Sequence, residues 1–79
     1  MGKVATVFKV YADDADAVKL RIVSALKPTG IQVEDIAYGI KIIKVMFVHE
    51  DKEGSTSYED GLRKIDGVRD VEVDDETLI

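Results

Sequence analysis

The sequence predicts an α+β fold in which a four-stranded antiparallel sheet packs two helices on one face, formed in the chain order β-α-β-β-α-β. Apolar residues alternate with polar ones over four segments, as half-buried strands require. They recur at helical spacing over two further segments, each lying between predicted strands. Seventy-nine residues, 46% hydrophobic and 34% charged, suit one globular domain over residues 1–79 with a modest core.

The first half of the chain reads as a strand and then a helix. The first strand is predicted over residues 3–11, and the residues that share its inner face are Val4, Thr6, Phe8 and Val10. Carboxylates that can accept hydrogen bonds from free amides open the helix, namely Asp13, Asp14 and Asp16. Its predicted buried residues are Ala15, Val18, Ile22, Ala25 and Leu26. The helix is expected to run to about Lys27, because Pro28 and Gly30 stop it.

The segment over residues 31–48 carries strand signals but is too long for one strand. Gly39 is the obvious break, so the sequence predicts a second and a third strand on either side of it. After the break, one parity is shared by Ile43, Val45 and Phe47. Because Ile40 and Ile42 fall on the opposite parity, a bulge or bend near Gly39 is expected.

The second helix follows a polar loop, and a last strand completes the order. Thr56 and Glu59 have the spacing of a capping box, and the buried stripe of this helix is predicted to be Tyr58, Leu62 and Ile65. Gly61 inside the helix costs about 1 kcal/mol relative to alanine, so we expect it to allow a close approach to the sheet. Residues 68–75 form the last strand, with Val71 and Val73 on one face. This order is the ferredoxin-like arrangement.

Composition excludes several functions that this arrangement can host. The chain has no cysteine, so it cannot be a metal chaperone that uses a thiol pair. A net charge of −5 opposes binding to a phosphate backbone, and too few aromatic residues are available for an RNA-binding sheet. No apolar run approaches the ~18 residues of a membrane span, and the first residues lack signal-peptide features. We therefore expect a cytoplasmic protein without a nucleic-acid or membrane partner.

Residues that can carry chemistry are few. His49 beside Glu50 and Asp51 can be read as a metal or acid–base cluster, but a solvated strand end is the favoured interpretation. The acidic groups near Asp14 and over residues 74–76 are interpreted as a helix start and a solvated tail. The sequence shows neither a nucleophile paired with a base nor a phosphate-cradling glycine loop. It therefore predicts a binding module without catalytic residues, metal or cofactor.

Three motifs, in order, resemble one family. The first consists of Ile36, Ala37, Tyr38, Gly39, Ile40 and Lys41; the second of Asp51, Gly54, Ser55 and Thr56; the third of Ile65, Gly67, Val68, Val71 and Val73. The chain thereby resembles archaeal elongation factor 1-beta, which is similar to the carboxy-terminal domain of the eukaryotic beta subunit, the guanine-nucleotide exchange factor for elongation factor 1-alpha. The resemblance spans most of the chain and implies the same ferredoxin-like fold.

The resemblance also implies a GTPase-binding surface. Tyr38 occupies the position of the family's protruding aromatic, normally phenylalanine, which enters an apolar pocket on the GTPase; the alternative is that Tyr38 covers the edge of its own core. The residues assigned to this surface are Tyr38, Gly39, Ile40, Lys41, Lys44, Leu78 and Ile79. In the family, a basic residue near the carboxy terminus reaches the magnesium site of the GTPase. Here Leu78 stands in that position, and the last basic residue is Arg69.

Two smaller departures affect the strand before Tyr38. Asp35 stands where the family usually has proline, and the preceding segment is about five residues shorter than in archaeal relatives, so the second strand is expected to be truncated.

The implied function is promotion of GDP release from elongation factor 1-alpha by a chain that is monomeric when isolated. The alternative is a non-catalytic ferredoxin-like protein-interaction or ligand-sensing module with no GTPase partner.

Overall fold

The fold has six elements in the predicted order. The computed structural model describes residues 2–50 and 56–79, with the backbone alone for Thr56. The elements are β1 (Lys3–Ala12), α1 (Ala15–Leu26), β2 (Gly30–Ala37), β3 (Ile40–Glu50), α2 (Thr56–Arg63) and β4 (Val68–Leu78). The strands form one sheet in the order β2-β3-β1-β4, and every neighbouring pair is antiparallel. The ferredoxin-like prediction is confirmed.

The core lies between the sheet and the two helices, which pack on the same face. The central strands contribute four of its largest buried side chains, and each helix contributes at least one more; these are Phe8, Val10, Ile43, Val45, Ile22 and Leu62. Phe8 and Phe47 meet edge to face, with ring centroids 6.0 Å apart. Neither of the described helices covers the opposite face of the sheet, which is called the open face.

Helix α1 begins and ends as predicted, with one correction to its buried stripe. Asp14 is the N-cap, and its Oδ1 accepts a hydrogen bond of 3.1 Å from the Ala17 amide. Lys27 closes the helix in the left-handed conformation. Ala25, predicted in the core, is exposed, because successive residues lie about 100° apart around a helix and Leu26 packs against the core at this end.

The β2–β3 pair is irregular where expected. Strand β2 has eight residues that pair with β3 from Gly30 opposite Met46 to Ala37 opposite Ile40, and residues 47–50 of β3 extend past the start of β2. Truncation of β2 relative to the family stays a prediction. The predicted bulge lies at Ile36, between the pairs formed by Asp35 and Ala37. The off-parity isoleucines simply face the open side. Ile42 is 2% exposed there and stands outside the core cluster.

The second half of the fold requires three corrections. A Cβ atom added to Gly61 would lie 3.2 Å from Leu26 Cδ2, so this glycine lets α2 approach helix α1 rather than the sheet. The acidic residues after Val73 are not a solvated tail, since β4 continues to Leu78 along β1. Val73 itself is half-exposed, because β4 is an edge strand and the core ends at Val71.

His49 is not a solvated strand end as the sequence suggested. Its ring is buried, 5.3 Å from the Tyr58 ring. Nδ1 lies 2.9 Å from the Glu50 carbonyl oxygen, which can only accept, so Nδ1 donates there; in the neutral ring Nε2 then accepts from the Thr6 hydroxyl at 2.9 Å. His49 therefore satisfies a buried polar pair. Asp51, the second family motif up to Ser55 and the side chain of the predicted capping residue Thr56 lie outside the described residues.

Candidate functional site

The β2–β3 connection is a two-residue turn with an unusual composition. Ala37 and Ile40 pair across it, and both central residues have positive φ, 50° at Tyr38 and 78° at Gly39. This is the signature of a type I′ hairpin turn, whose first central position favours asparagine, aspartate or glycine. Placing an L-residue with a large side chain there costs about 1 kcal/mol. The turn therefore keeps Tyr38 despite local strain.

The Tyr38 side chain does not pack against the core. It is fully exposed, at 101% of its reference area, so the alternative in which it covers the edge of its own core is wrong. Gly39 has no heavy atom within 4 Å of a Cβ placed on it, so the tip of the turn is bare. An aromatic ring held out on a bare turn is free to enter a pocket on another molecule.

Two further apolar side chains flank the turn. Ile36 is 51% exposed and Ile40 is 55% exposed. Ile40 was assigned to the binding surface from the sequence, but Ile36 was not. The sequence does contain a pattern that indicates the exposure of Ile36. Apolar residues lie on both sides of the Tyr38-Gly39 turn, and one face of the sheet cannot bury all of them.

The two predicted lysines lie in different places. Lys41 adjoins the turn, and its Nζ is 3.9 Å from Asp16 Oδ2 at the start of α1. Lys44 lies on the open face, where its Nζ is 3.5 Å from both Glu34 Oε2 and Asp74 Oδ2. Glu34 and then Asp74 raise the pKa of the Lys44 ammonium above its ordinary value of 10.5. Lys44 is therefore already paired within the chain, whereas Lys41 is more available to a partner.

Leu78 and Ile79 lie at the far end of the sheet from Tyr38. Leu78 pairs with Val4 near the start of β1, whereas Ile42, close to the turn, pairs with Tyr11 near its end. Seven residues of strand between Val4 and Tyr11 span ~24 Å. Both terminal side chains are exposed, and the Ile79 amide donates to the Lys3 carbonyl oxygen at 2.8 Å. The structure thus divides the predicted surface between two ends of the molecule.

Residues 2–50 and 56–79 contain no cluster of three or more His, Cys, Asp or Glu side chains arranged to hold a metal ion. Neither described helix has the length and apolar character needed to cross a membrane.

The chain matches a family model over most of its length. The model describes the EF-1 guanine nucleotide exchange domain and matches residues 6–79, which include Tyr38 and all of the β2–β3 hairpin. The chain belongs to this family.

Members of the family named elongation factor 1-beta are similar over nearly their whole length. The Aeropyrum pernix protein is 39% identical, with 94% of this chain and 93% of the relative covered. Those of Methanospirillum hungatei and Methanoculleus marisnigri are 35% and 33% identical, with both chains fully covered.

A solved structure agrees with the fold. The ACT domain from the GTP pyrophosphokinase of Chlorobium tepidum aligns with a TM-score of 0.60 at 22% identity, covering 92% of this chain and 99% of that domain. At this identity the likeness concerns the fold alone. Family membership, in contrast, associates the chain with guanine nucleotide exchange in translation elongation.

Proposed function

We propose that this chain is a guanine-nucleotide exchange factor that promotes GDP release from elongation factor 1-alpha in the cytoplasm. The observation that carries the proposal is Tyr38, a fully exposed aromatic on a strained turn, at the position where the family presents its aromatic to the GTPase. Strain at an exposed position persists where it serves a function. Membership of the exchange-domain family supports the same conclusion.

The proposed mechanism requires no covalent step. An exchange factor lowers the affinity of a GTPase for its nucleotide by binding the nucleotide-free state more tightly than the loaded one, and this coupling is reciprocal. Tyr38 acts as the anchor, because an aromatic ring that becomes buried in a partner's pocket contributes a large share of binding free energy. Lys41 lies beside it, with its Nζ 3.9 Å from Asp16 Oδ2.

We further propose that the chain acts as a monomer. The two edge strands of the sheet are β2 and β4, and an exposed edge can pair with another copy. Strand β4 carries five acidic residues, Asp70, Glu72, Asp74, Asp75 and Glu76. Like charges placed opposite each other destabilise a strand pair, so two β4 edges repel each other.

The test is the release rate of fluorescently labelled GDP from elongation factor 1-alpha with and without the chain. We expect a concentration-dependent acceleration with the unaltered protein and little with Tyr38→Ala. Because Tyr38 is exposed, Tyr38→Ala should change the free energy of unfolding by no more than about 0.5 kcal/mol apart from the turn strain. Absence of acceleration by the unaltered chain would contradict the proposal and favour an interaction module without a GTPase partner.

A further inference from the structure

Three exposed apolar side chains lie together on the β2–β3 hairpin, and we name them the hairpin patch: Ile36, Tyr38 and Ile40. Isolated exposed apolar residues are ordinary on protein surfaces, but a cluster rimmed by polar groups marks an interaction site. Each member is at least half exposed although a buried hydrophobic face lies only a few residues away along the same strands.

The register places the two isoleucines on one side of the sheet. Glu34 pairs with Ile42, and side chains of directly opposed residues share a face, here the open face. Alternation along β2 then carries Ile36 to that same face. Ile40 lies there as well, two residues before Ile42 on β3. The bulge at Ile36 shifts the pairing by one residue, so that Ala37 is opposite Ile40 and Ile36 is left beside the turn.

We infer that Ile36 and Ile40 flank Tyr38 in a single docking surface, which fits an apolar depression with a basic rim on the partner. This inference rests on the proposed function and specifies the GTPase surface that receives Tyr38. Ile36 becomes a second anchor beside the aromatic ring. The fold itself does not require an exposed isoleucine at this bulge. A polar residue would fit there equally well.

Charge beside the turn indicates the basic rim; it lies on the helix-covered face of the sheet, whereas Ile36 and Ile40 lie on the open face. A groove of about 550 Å³ adjoins the turn, lined by Asp13, Asp14 and Asp16 on one side and by Gly39, Ile40 and Lys41 on the other. Its three carboxylates outnumber its single ammonium, although a second cation, the Arg69 guanidinium, lies 2.8 Å from Asp13 Oδ1. The side chains of Asp13 and Asp16 are about three-quarters exposed, and Asp35 is exposed opposite Lys41. A partner with lysine or arginine around its apolar pocket is complementary to this surface.

The test compares Ile36→Ser with a matched control, Leu20→Ser. Leu20 is 71% exposed on α1, outside the hairpin patch, so its loss removes a similar exposed apolar side chain. Binding to nucleotide-free elongation factor 1-alpha is measured by fluorescence anisotropy, alongside the melting temperature of each variant. We expect Ile36→Ser to weaken binding about tenfold, the ratio that corresponds to about 1.4 kcal/mol, and Leu20→Ser to change it less than about twofold.

Ile40→Ser serves as a second variant if Ile36→Ser disturbs the bulge, and it should weaken binding to a similar extent. Affinity should fall as ionic strength rises, and Asp35→Asn should reduce the steepness of that fall because it removes one rim charge. If Ile36→Ser and Ile40→Ser are folded and bind as tightly as the unaltered chain while Tyr38→Ala does not, the inference is wrong and the proposed function stands. If the unaltered chain neither binds nor accelerates GDP release, both are wrong.

Discussion

At the level of single residues, a tyrosine occupies a turn position that suits asparagine. Positive φ at both central residues is compatible with Asn-Gly, which is the preferred pair for a type I′ turn. The Tyr38 ring has no intramolecular contact that offsets the strain, because it is fully exposed. An exposed ring on a strained turn is what the proposed contact with the GTPase requires.

Replacing Tyr38 with asparagine should stabilise the protein. Asparagine adopts the left-handed region more readily than tyrosine, so we expect the free energy of unfolding to rise by about 1 kcal/mol. Urea denaturation of Tyr38→Asn and the unaltered chain measures the difference. A decrease in stability would show that the ring makes a stabilising contact, which contradicts its assignment to the interface.

The sequence predicted the exposed aromatic but not the turn that presents it. Gly39 marked a break, and the family resemblance singled out Tyr38, but positive φ at a tyrosine is contrary to its intrinsic preference and follows only from the two-residue register between Ala37 and Ile40. For the same reason Ile36 was missed. Its exposure depends on a bulge whose position alternation alone cannot fix.

At the scale of elements, a second bulge organises the open face. The pairing between β1 and β4 shifts by one residue at Asp74, whose carboxylate lies 3.4 Å from Lys9 Nζ and 3.5 Å from Lys44 Nζ. Lys9 and Lys44 are directly opposed on β1 and β3, and two like charges there would repel each other. Asp74 thus bridges the lysine pair and links the edge strand to the centre of the sheet, and Glu34 supplies the second negative charge.

The Lys44 ion pairs should make stability depend on high pH. Since Glu34 and Asp74 raise the folded-state pKa of Lys44, its contribution is fully present below the unfolded pKa and is lost as pH rises through the folded pKa, above 10.5. We expect the stability of the unaltered chain relative to Lys44→Met to decrease above pH 10.5, as measured by urea denaturation. Lys44→Arg keeps its charge there and should not show this decrease. A pH-independent difference would mean that the ion pairs contribute nothing to folding.

Gly67 and Gly39, both at junctions between elements, differ in the space available for a Cβ atom. Both have positive φ, but a Cβ on Gly67 would lie 2.9 Å from Val18 Cγ2, whereas a Cβ on Gly39 would meet nothing. Gly67→Ala should therefore lower stability by about 2 kcal/mol, from strain and overlap together, and Gly39→Ala by about 1 kcal/mol from strain alone. Thermal or urea unfolding measures both, and equal losses would exclude a packing role for Gly67.

Element order and strand faces followed from periodicity, since most apolar residues had to be used in one small core. Periodicity did not predict which residues of different elements contact each other. Gly61 was assigned to the approach of α2 to the sheet, whereas its neighbour is Leu26 of α1, because helix–helix contact depends on how far each helix extends. Buried His49 was likewise missed, since its partner Thr6 lies 43 residues away in the chain.

At the scale of the whole molecule, the predicted GTPase surface lies at two ends of one sheet. The hairpin patch and Leu78 are separated by at least the ~24 Å that β1 spans between Tyr11 and Val4. A partner that contacts both must therefore cover the length of the sheet. The tail end offers it an exposed leucine where the family resemblance implies a cation.

Substitution of Leu78 by lysine tests whether that end takes part. A cation near the GTPase magnesium site competes electrostatically with the metal that holds the nucleotide phosphates, so Leu78→Lys should increase the rate of GDP release. The side chain is exposed, so the melting temperature should change little. A rate equal to that of the unaltered chain would show that exchange depends on the hairpin end of the sheet alone.

The central claim, that Tyr38 mediates exchange and not folding, is tested most directly by the rate of labelled GDP release from elongation factor 1-alpha with the unaltered chain and with Tyr38→Asn. The account predicts a strong acceleration by the unaltered chain and almost none by Tyr38→Asn, although that variant is the more stable of the two. Equal acceleration by both, or none by the unaltered chain, would contradict it.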